Sequence, residues 1–300
     1  GLLSALRARG EAYSEIVGFA RALRENARPF PRPGEDCLDT CGTGGDGLAT
    51  FNVSTLAALV VAACGVRVVK HGNRAVSSRC GSADLLEALE IRTEIDPVTA
   101  ARCLDETNFA FLFAPSYHPM LKSLAPVRRE LGIRSIFNLA GPLANPARVG
   151  FQLVGVPARD LLEPVAEALR ALGVRRALVV HGEDGADEIS LTGPTHVVDV
   201  SAAGLVAGVI RPREAGLSEA RPADLSGGDA IDNARAAERL LDGAGGPLQD
   251  FVVLNAAAAL RVAGQVATLP EGVERARRAL STGEAKSLVF RLRGLTREAA

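Results

Sequence analysis

The sequence predicts an α/β fold with a largely parallel central sheet, and three observations predict it. Residues 37–40, a glycine loop, the apolar stretch 54–64 and residues 66–70 read in order as strand, loop, helix and strand. Such a crossover joins parallel strands. The alternation resumes downstream, with strands expected at 109–113, 151–156, 177–180 and 197–200. The length of 300 residues, at ordinary globular composition, suits one large domain or a large domain with a small one.

The elements follow in chain order. Ile16, Phe19, Ala20 and Leu23 recur at helical spacing after Ser14, an expected N-cap, and the helix stops before Pro29, Pro31, Pro33 and Gly34. Gly65 sits past the end of the 54–64 helix, where a left-handed C-cap is expected. Further helices are expected at 83–89, 98–106 and 161–172. Pro119 and Pro126 bracket helical pieces that end at Gly132, and the last third is mostly helical, including 248–262. Phe109, Phe111 and Phe113 are assigned to the core. The alanine run from Ala256 to Ala259 is read as close helix packing, and no internal repeat is found.

Composition excludes several function classes. A formal charge of −1 with both signs interspersed leaves no electrostatic footprint for nucleic acid or an anionic membrane. The five cysteines, Cys37, Cys41, Cys64, Cys80 and Cys103, contain no Cys-x-x-Cys pair and are read as reduced thiols. The longest apolar run is far shorter than the ~20 residues of a membrane span, and no signal peptide is seen, so a cytoplasmic location is expected. The chain opens on Gly1 without an initiator Met, consistent with a trimmed N-terminus.

Gly42-Thr43-Gly44-Gly45-Asp46-Gly47 matches G-x-G-x-x-G, a pattern that also makes ordinary turns. A dinucleotide fold opens its helix at the loop and places an acid about 20 residues on; here the helix waits until Ser54, and that region offers Arg67 and Lys70. A Walker A loop needs Gly-Lys-Ser/Thr, whereas Gly47 is followed by Leu48-Ala49. What remains is a loop of bare amides leading to Asn52-Val53-Ser54-Thr55 at a helix N-terminus, where phosphate or pyrophosphate fits. Plain helix capping by Asn52 or Ser54 uses the same position and stays open. After the second strand come Lys70-His71-Gly72-Asn73-Arg74, then Ser77, Ser78 and Arg79, at the carboxyl end of a parallel strand, read either as an anion site or as a solvated basic turn. Gly81-Ser82-Ala83-Asp84 reads as the turn and cap of the next helix.

Through these motifs the sequence resembles the anthranilate phosphoribosyltransferases. The match continues in order through His118-Pro119, Pro126-Val127-Arg128, Ile136-Phe137-Asn138-Leu139, Gly141-Pro142-Leu143, Asn145-Pro146, Asp184-Gly185-Ala186-Asp187-Glu188 and Leu254-Asn255-Ala256-Ala257. It covers nearly the whole chain. The resemblance implies transfer of a phosphoribosyl group from 5-phosphoribosyl 1-diphosphate to anthranilate, releasing pyrophosphate, as in tryptophan biosynthesis. It implies a small N-terminal helical domain, residues 1–34 joined by helices from about 118–132, hinged to an α/β donor-binding domain at 35–300. Gly42, Thr43, Gly44, Gly45, Asp46, Asn52, Ser54, Thr55, Lys70 and Ser82 would hold the donor. Gly42, Asn73, His118, Arg128 and Gly141 would surround anthranilate, and Ser54, Asp187 and Glu188 would serve Mg²⁺.

The chemistry suits those residues. Breaking the bond from ribose C1 builds oxocarbenium character on the sugar and negative charge on the departing pyrophosphate. Mg²⁺ takes hard oxygen ligands, commonly one or two carboxylates with substrate phosphates. The acceptor is a neutral aromatic amine whose lone pair attacks without a strong base, so His118 is assigned to the pocket rather than to proton abstraction. Arg128 offers a planar fork for the substrate carboxylate. The resemblance also implies one or two further helices ahead of the point where this chain opens, in the small domain that forms a homodimer interface, so a homodimer is expected if that interface is retained. Glu90 stands where the family carries glycine, and Leu121 and Ala140 vary on the acceptor side. The rival readings are a pyrimidine nucleoside phosphorylase of the same fold and a non-catalytic nucleic-acid-binding relative. The Lys70 to Arg74 run and the Asp187-Glu188 pair argue against the first, the charge balance against the second.

Overall fold

The structure, a computed structural model, describes residues 1–44, 47–48, 50–75 and 79–298, without the side chains of residues 122, 123, 125, 128 and 129. Helices α1 (Leu2–Arg9) and α2 (Tyr13–Glu25) lead into strand β1 (Leu38–Gly42), α3 (Val53–Ala63) and β2 (Val68–Gly72). Next come α4 (Ser82–Ala88), α5 (Pro97–Thr107), β3 (Phe109–Phe113), α6 (Ala114–Tyr117), α7 (Ala125–Leu131) and α8 (Ile136–Leu143). Strands β4 (Phe151–Gly155), β5 (Arg176–Gly182), β6 (Thr195–Ser201) and β7 (Gly204–Ile210) follow, with α9 (Leu162–Ala171) between β4 and β5. Helices α10 (Ala230–Leu241), α11 (Pro247–Val262), α12 (Leu269–Ser281) and α13 (Glu284–Arg297) complete the fold.

The sheet has seven strands in the order β3-β2-β1-β4-β5-β6-β7. The pairs from β3 through β5 are parallel, and β6 and β7 join antiparallel. The largely parallel sheet is therefore as expected, with an antiparallel hairpin on one edge. Leaving β1, the chain moves outward through β2 and β3, then returns to start β4 on the opposite side of β1. That reversal makes the carboxyl ends of β1 and β4 a topological switch point, where open α/β sheets form a crevice.

Helix α3 is apolar on nearly every side because it is enclosed on nearly every side: Leu56 through Ala62 are almost wholly buried between the sheet and α11. In α11 the alanine run is buried throughout, and a Cβ on Gly272 of α12 would lie 2.8 Å from the Cα and Cβ of Ala257. Close helix packing is thus the run's role. Phe109, Phe111 and Phe113 belong to the same core.

Some boundaries differ from expectation. Helix α2 starts at Tyr13 rather than after Ser14, because Glu15 reaches back and accepts the Ala12 N–H at 2.9 Å. Strand β2 starts at Val68 rather than at residue 66: the Val66 N–H donates to the Val61 carbonyl at 3.4 Å, closing α3 through Gly65 in left-handed geometry (φ +88°). Strand β7 was not expected. It is an edge strand with Val206 exposed, and it lacks the apolar alternation that marks a half-buried strand.

Helix α2 packs on α8 and α9, with Phe19 and Phe137 edge to face at 5.0 Å. Among the described residues, no helix is long and apolar enough to cross a membrane.

Candidate active site

Three adjacent parallel strands end in glycine: β1 at Gly42, β2 at Gly72 and β4 at Gly155. At each end the space of a Cβ is already taken. At Gly42 and Gly155 it is filled by Asp187, and at Gly72 by Ser82 Oγ and the Phe111 ring. The glycines let Asp187 and Ser82 come down against the strand ends, and so fix the floor of a cavity of about 280 Å³ at the switch point.

Each wall follows from local sequence. The glycine loop leaves β1, with Gly44 at φ +74° and Gly47 at φ +77°. Its far end is tied down where Phe51 N–H donates to the Leu225 carbonyl at 3.0 Å. Asn52 is the N-cap residue of α3, yet its side chain makes no cap bond; it donates to the Cys80 carbonyl at 3.3 Å, and its own N–H is held by Asn233 of α10 at 3.0 Å. Plain capping by Asn52 is therefore excluded. The first turn of α3, carrying Ser54, faces the cavity without a side-chain cap, as an anion site requires.

From β2, Lys70 lines the cavity while almost fully buried, its ammonium held by the Thr40 carbonyl. Beneath it the Asp39 carboxyl is wholly buried and accepts Asn145 Nδ2–H at 2.8 Å and His71 N–H at 3.4 Å. Burial pushes Asp39 up to about 6, although the Lys70 charge and the Asn145 hydrogen bond pull it back. Asn73 and Ser82 line the same wall. Ser82 Oγ donates to the Asn73 carbonyl at 3.2 Å, and Asp84 accepts the N–H groups of Ala75 and Gly81, each at 2.8 Å. Arg74 also lines the cavity, its guanidinium held by Glu87, by Glu94 at 2.8 Å and over the face of Phe113.

Opposite stands the acidic turn after β5. Asp187 Oδ2 accepts the Gly44 N–H at 2.6 Å, and Glu188 also lines the cavity. Asp184 does not reach the cavity; it organises the turn by accepting Ser190 Oγ at 2.6 Å and Thr192 Oγ1 at 2.7 Å. Asn255 of α11 pairs with both backbone groups of Ile189, each at 3.0 Å, which pins the residue next to Glu188. Among the described residues no cluster of three His, Cys, Asp or Glu side chains gathers to hold a metal. Two carboxylates beside a phosphate-sized cavity fit Mg²⁺, which binds through one or two carboxylates and completes its shell with phosphate oxygens and water.

Among the described residues of these walls, neither the thiols nor the histidine is a ready nucleophile or base. Burial pushes the Cys41 thiol well above its ordinary range and Cys80 to about 11, so both stay protonated. Burial, followed by repulsion from His118, pushes His71 down to about 3, and burial lowers His118 as well. The two neutral rings meet edge to face at 5.1 Å, and the backbone of Leu23 and Ala144 lies against His118.

The structure thus brings Gly42, Thr43, Gly44, Asn52, Ser54, Lys70, Asn73, Ser82, Asp187 and Glu188 around one cavity. It does not bring Thr55 there, which is buried against the core side of α3, nor His118 and Gly141, which lie behind His71 and on α8. Gly45, Asp46, Ser77, Ser78 and the Arg128 side chain lie outside the described residues. Sequence reading gave no role to Asp39, to Asn138, which lines the cavity, or to Arg134, whose guanidinium donates to the Gly44 carbonyl. Asp39 is an acid inside an apolar strand, a visible anomaly; the other two carry no signal in spacing.

A family model described as "Glycosyl transferase family, a/b domain" matches residues 34–286. Anthranilate phosphoribosyltransferase 2 of Streptomyces coelicolor is 52% identical over 287 residues, covering 96% of this chain and 86% of that protein. The chain belongs to the anthranilate phosphoribosyltransferase family. Among solved structures, the anthranilate phosphoribosyltransferase of Thermus thermophilus superposes with a TM-score of 0.92 at 50% identity, covering 99% of this chain and 88% of that one. The Saccharomyces cerevisiae member of the family, in complex with PRPP and Mg, superposes with a TM-score of 0.91 at 28% identity, covering 99% and 84%.

Proposed function

We propose that this chain transfers the phosphoribosyl group of 5-phosphoribosyl 1-diphosphate to the amine of anthranilate, giving N-(5-phosphoribosyl)anthranilate and pyrophosphate. The observation that carries this reading is the meeting of Lys70, the uncapped first turn of α3 and the Asp187-Glu188 turn on one cavity at the switch point. Backbone donors and a cation on one wall face carboxylates on the other, an arrangement for a diphosphate held together with a divalent cation. Family membership supports the same reading.

The glycine loop, Ser54 and Lys70 hold the diphosphate, so that charge building on it as the C1–O bond breaks meets fixed donors. Ser54, Asp187 and Glu188 would hold Mg²⁺, which when bound supplies charge neutralisation on the leaving group. The anthranilate nitrogen forms the new bond to C1 with its own lone pair, and the resulting arylammonium is acidic enough to lose its proton to water. His71 and His118, held neutral, take no proton in this scheme; His118, Asn73, Gly141 and Arg128 are assigned to the acceptor pocket. Residues 1–34 with the helices near 118–132 are taken as one hinged body and residues 35–300 as the other, their closure excluding water.

The same reading places the enzyme in the cytoplasm. It expects self-association through the helical layer, where Leu2 and Tyr13 are exposed apolar groups; sedimentation as a monomer at micromolar concentration would contradict that part. Turnover is tested by incubating the protein with Mg²⁺ and each of two substrate pairs. Anthranilate with the phosphoribosyl donor should yield the fluorescent ribosylated product, and thymidine with phosphate should yield no thymine. The reverse pattern would assign the site to a nucleoside phosphorylase.

A further inference from the structure

The glycine loop that faces the diphosphate is held by one side chain on each side of Gly44. On the amino side, Gly44 N–H donates to Asp187 Oδ2 at 2.6 Å. On the carboxyl side, the Gly44 carbonyl accepts from Nη2 of Arg134, which reaches across from the connection between α7 and α8. Arg134 does not line the donor cavity; it lines a small adjoining hollow with Arg7 and Glu11, the two sharing Thr43 and Asn138. The carbonyl is therefore drawn toward a cation outside the cavity.

That orientation matters chemically. A phosphate cradle works by presenting N–H groups, and a carbonyl oxygen turned inward would repel the anion it is meant to hold. Gly44 sits at φ +74° with no side chain to restrict it, so little in its own structure prevents the following peptide from rotating. A loop that samples both orientations loses affinity to the ordering cost. The other anchor, Asp187, is also the carboxylate assigned to the metal, so its hold on Gly44 competes with that duty. Arg134 has no such second task. It hangs from a rigid support: Asn138 accepts the Ser135 N–H at 3.2 Å to cap α8, and Phe137 packs on Phe19 of α2.

We propose that Arg134 is a positioning residue for the phosphoribosyl donor, holding the Gly44 carbonyl out of the cavity where the diphosphate binds. The inference rests on the donor-site reading above. It is tested with Arg134→Gln and Arg134→Lys beside the wild type, by steady-state kinetics in both substrates and by calorimetric titration of phosphoribosyl diphosphate with Mg²⁺ present. Arg134→Gln should raise both the Kd and the KM of the donor roughly tenfold, the size of a lost hydrogen bond from a charged donor. The anthranilate KM and the melting temperature should stay near wild type, and Arg134→Lys should recover most of the loss. Donor Kd and KM unchanged in Arg134→Gln would overturn the proposal, and so would equal rises for both substrates with a lowered melting temperature. Calorimetry needs no turnover, so a wild type that binds donor without transferring it would defeat the functional reading while still testing Arg134.

Discussion

Asp39 is the residue whose surroundings most constrain its chemistry. A carboxyl with no exposure, raised from its ordinary 3.8 to about 6, binds its proton more tightly folded than unfolded. Its contribution to stability is fully present below pH 3.8 and is lost as pH rises through about 6. His71 acts in the opposite sense. Held down to about 3 from 6.5, it favours the fold above 6.5 and weakens it progressively as pH falls toward 3. The two slopes oppose each other between pH 4 and 6, so replacing one exposes the other. Asp39→Asn should therefore gain stability relative to wild type as pH rises from 4 to 7 in urea unfolding, and parallel pH profiles for the two proteins would contradict the assignment. A second single-residue prediction concerns Gly42. In Gly42→Ala the new Cβ displaces the Asp187 carboxylate, costing about 1–3 kcal/mol of stability and a far larger share of Mg²⁺-dependent turnover; activity within twofold of wild type would show that the close approach is dispensable.

At the scale of elements, the local rules that make helices and strands also deliver the site. Parallel strands buried on both faces read as short apolar runs, and β1 through β5 were legible for that reason. Helix α3 was legible from its continuous apolar stretch and from Gly65 after it. Strand β7 was not, because an exposed edge strand carries neither signal. In the site, the glycine loop, Ser54, Lys70 and the Asp187-Glu188 turn were readable because bare amides, a cation and paired carboxylates are chemically distinctive. Arg134 and Asn138 were not: their relevance depends on a helix end meeting a loop some 90 residues earlier, which no local pattern encodes. Glu90 shows sequence and backbone agreeing on a defect. It follows α4 at φ +61°, in the left-handed region, as expected of a position that favours glycine. Its ion pair with Arg297 is exposed and offsets little. Glu90→Gly should raise stability by about 1 kcal/mol in urea unfolding, and a loss of stability would mean that the ion pair outweighs the backbone strain.

For the whole molecule, topology explains why distant motifs meet. The chain reverses its direction of winding between β3 and β4, and that reversal opens a crevice between strand ends that both terminate in glycine. Into it come a loop and helix end after β1, a basic turn after β2 and an acidic turn after β5. With His71 and His118 neutral and the cavity thiols protonated, the proposed mechanism relies on placement and electrostatics. The central claim is tested most directly by measuring pyrophosphate released from phosphoribosyl diphosphate in the wild type and in an Asp187→Asn/Glu188→Gln double variant, with and without anthranilate and Mg²⁺. The account predicts one pyrophosphate per anthranilate consumed by the wild type, only with Mg²⁺, and none from a double variant that melts like the wild type. Near-normal release by that variant, or release by the wild type that ignores anthranilate, would contradict it.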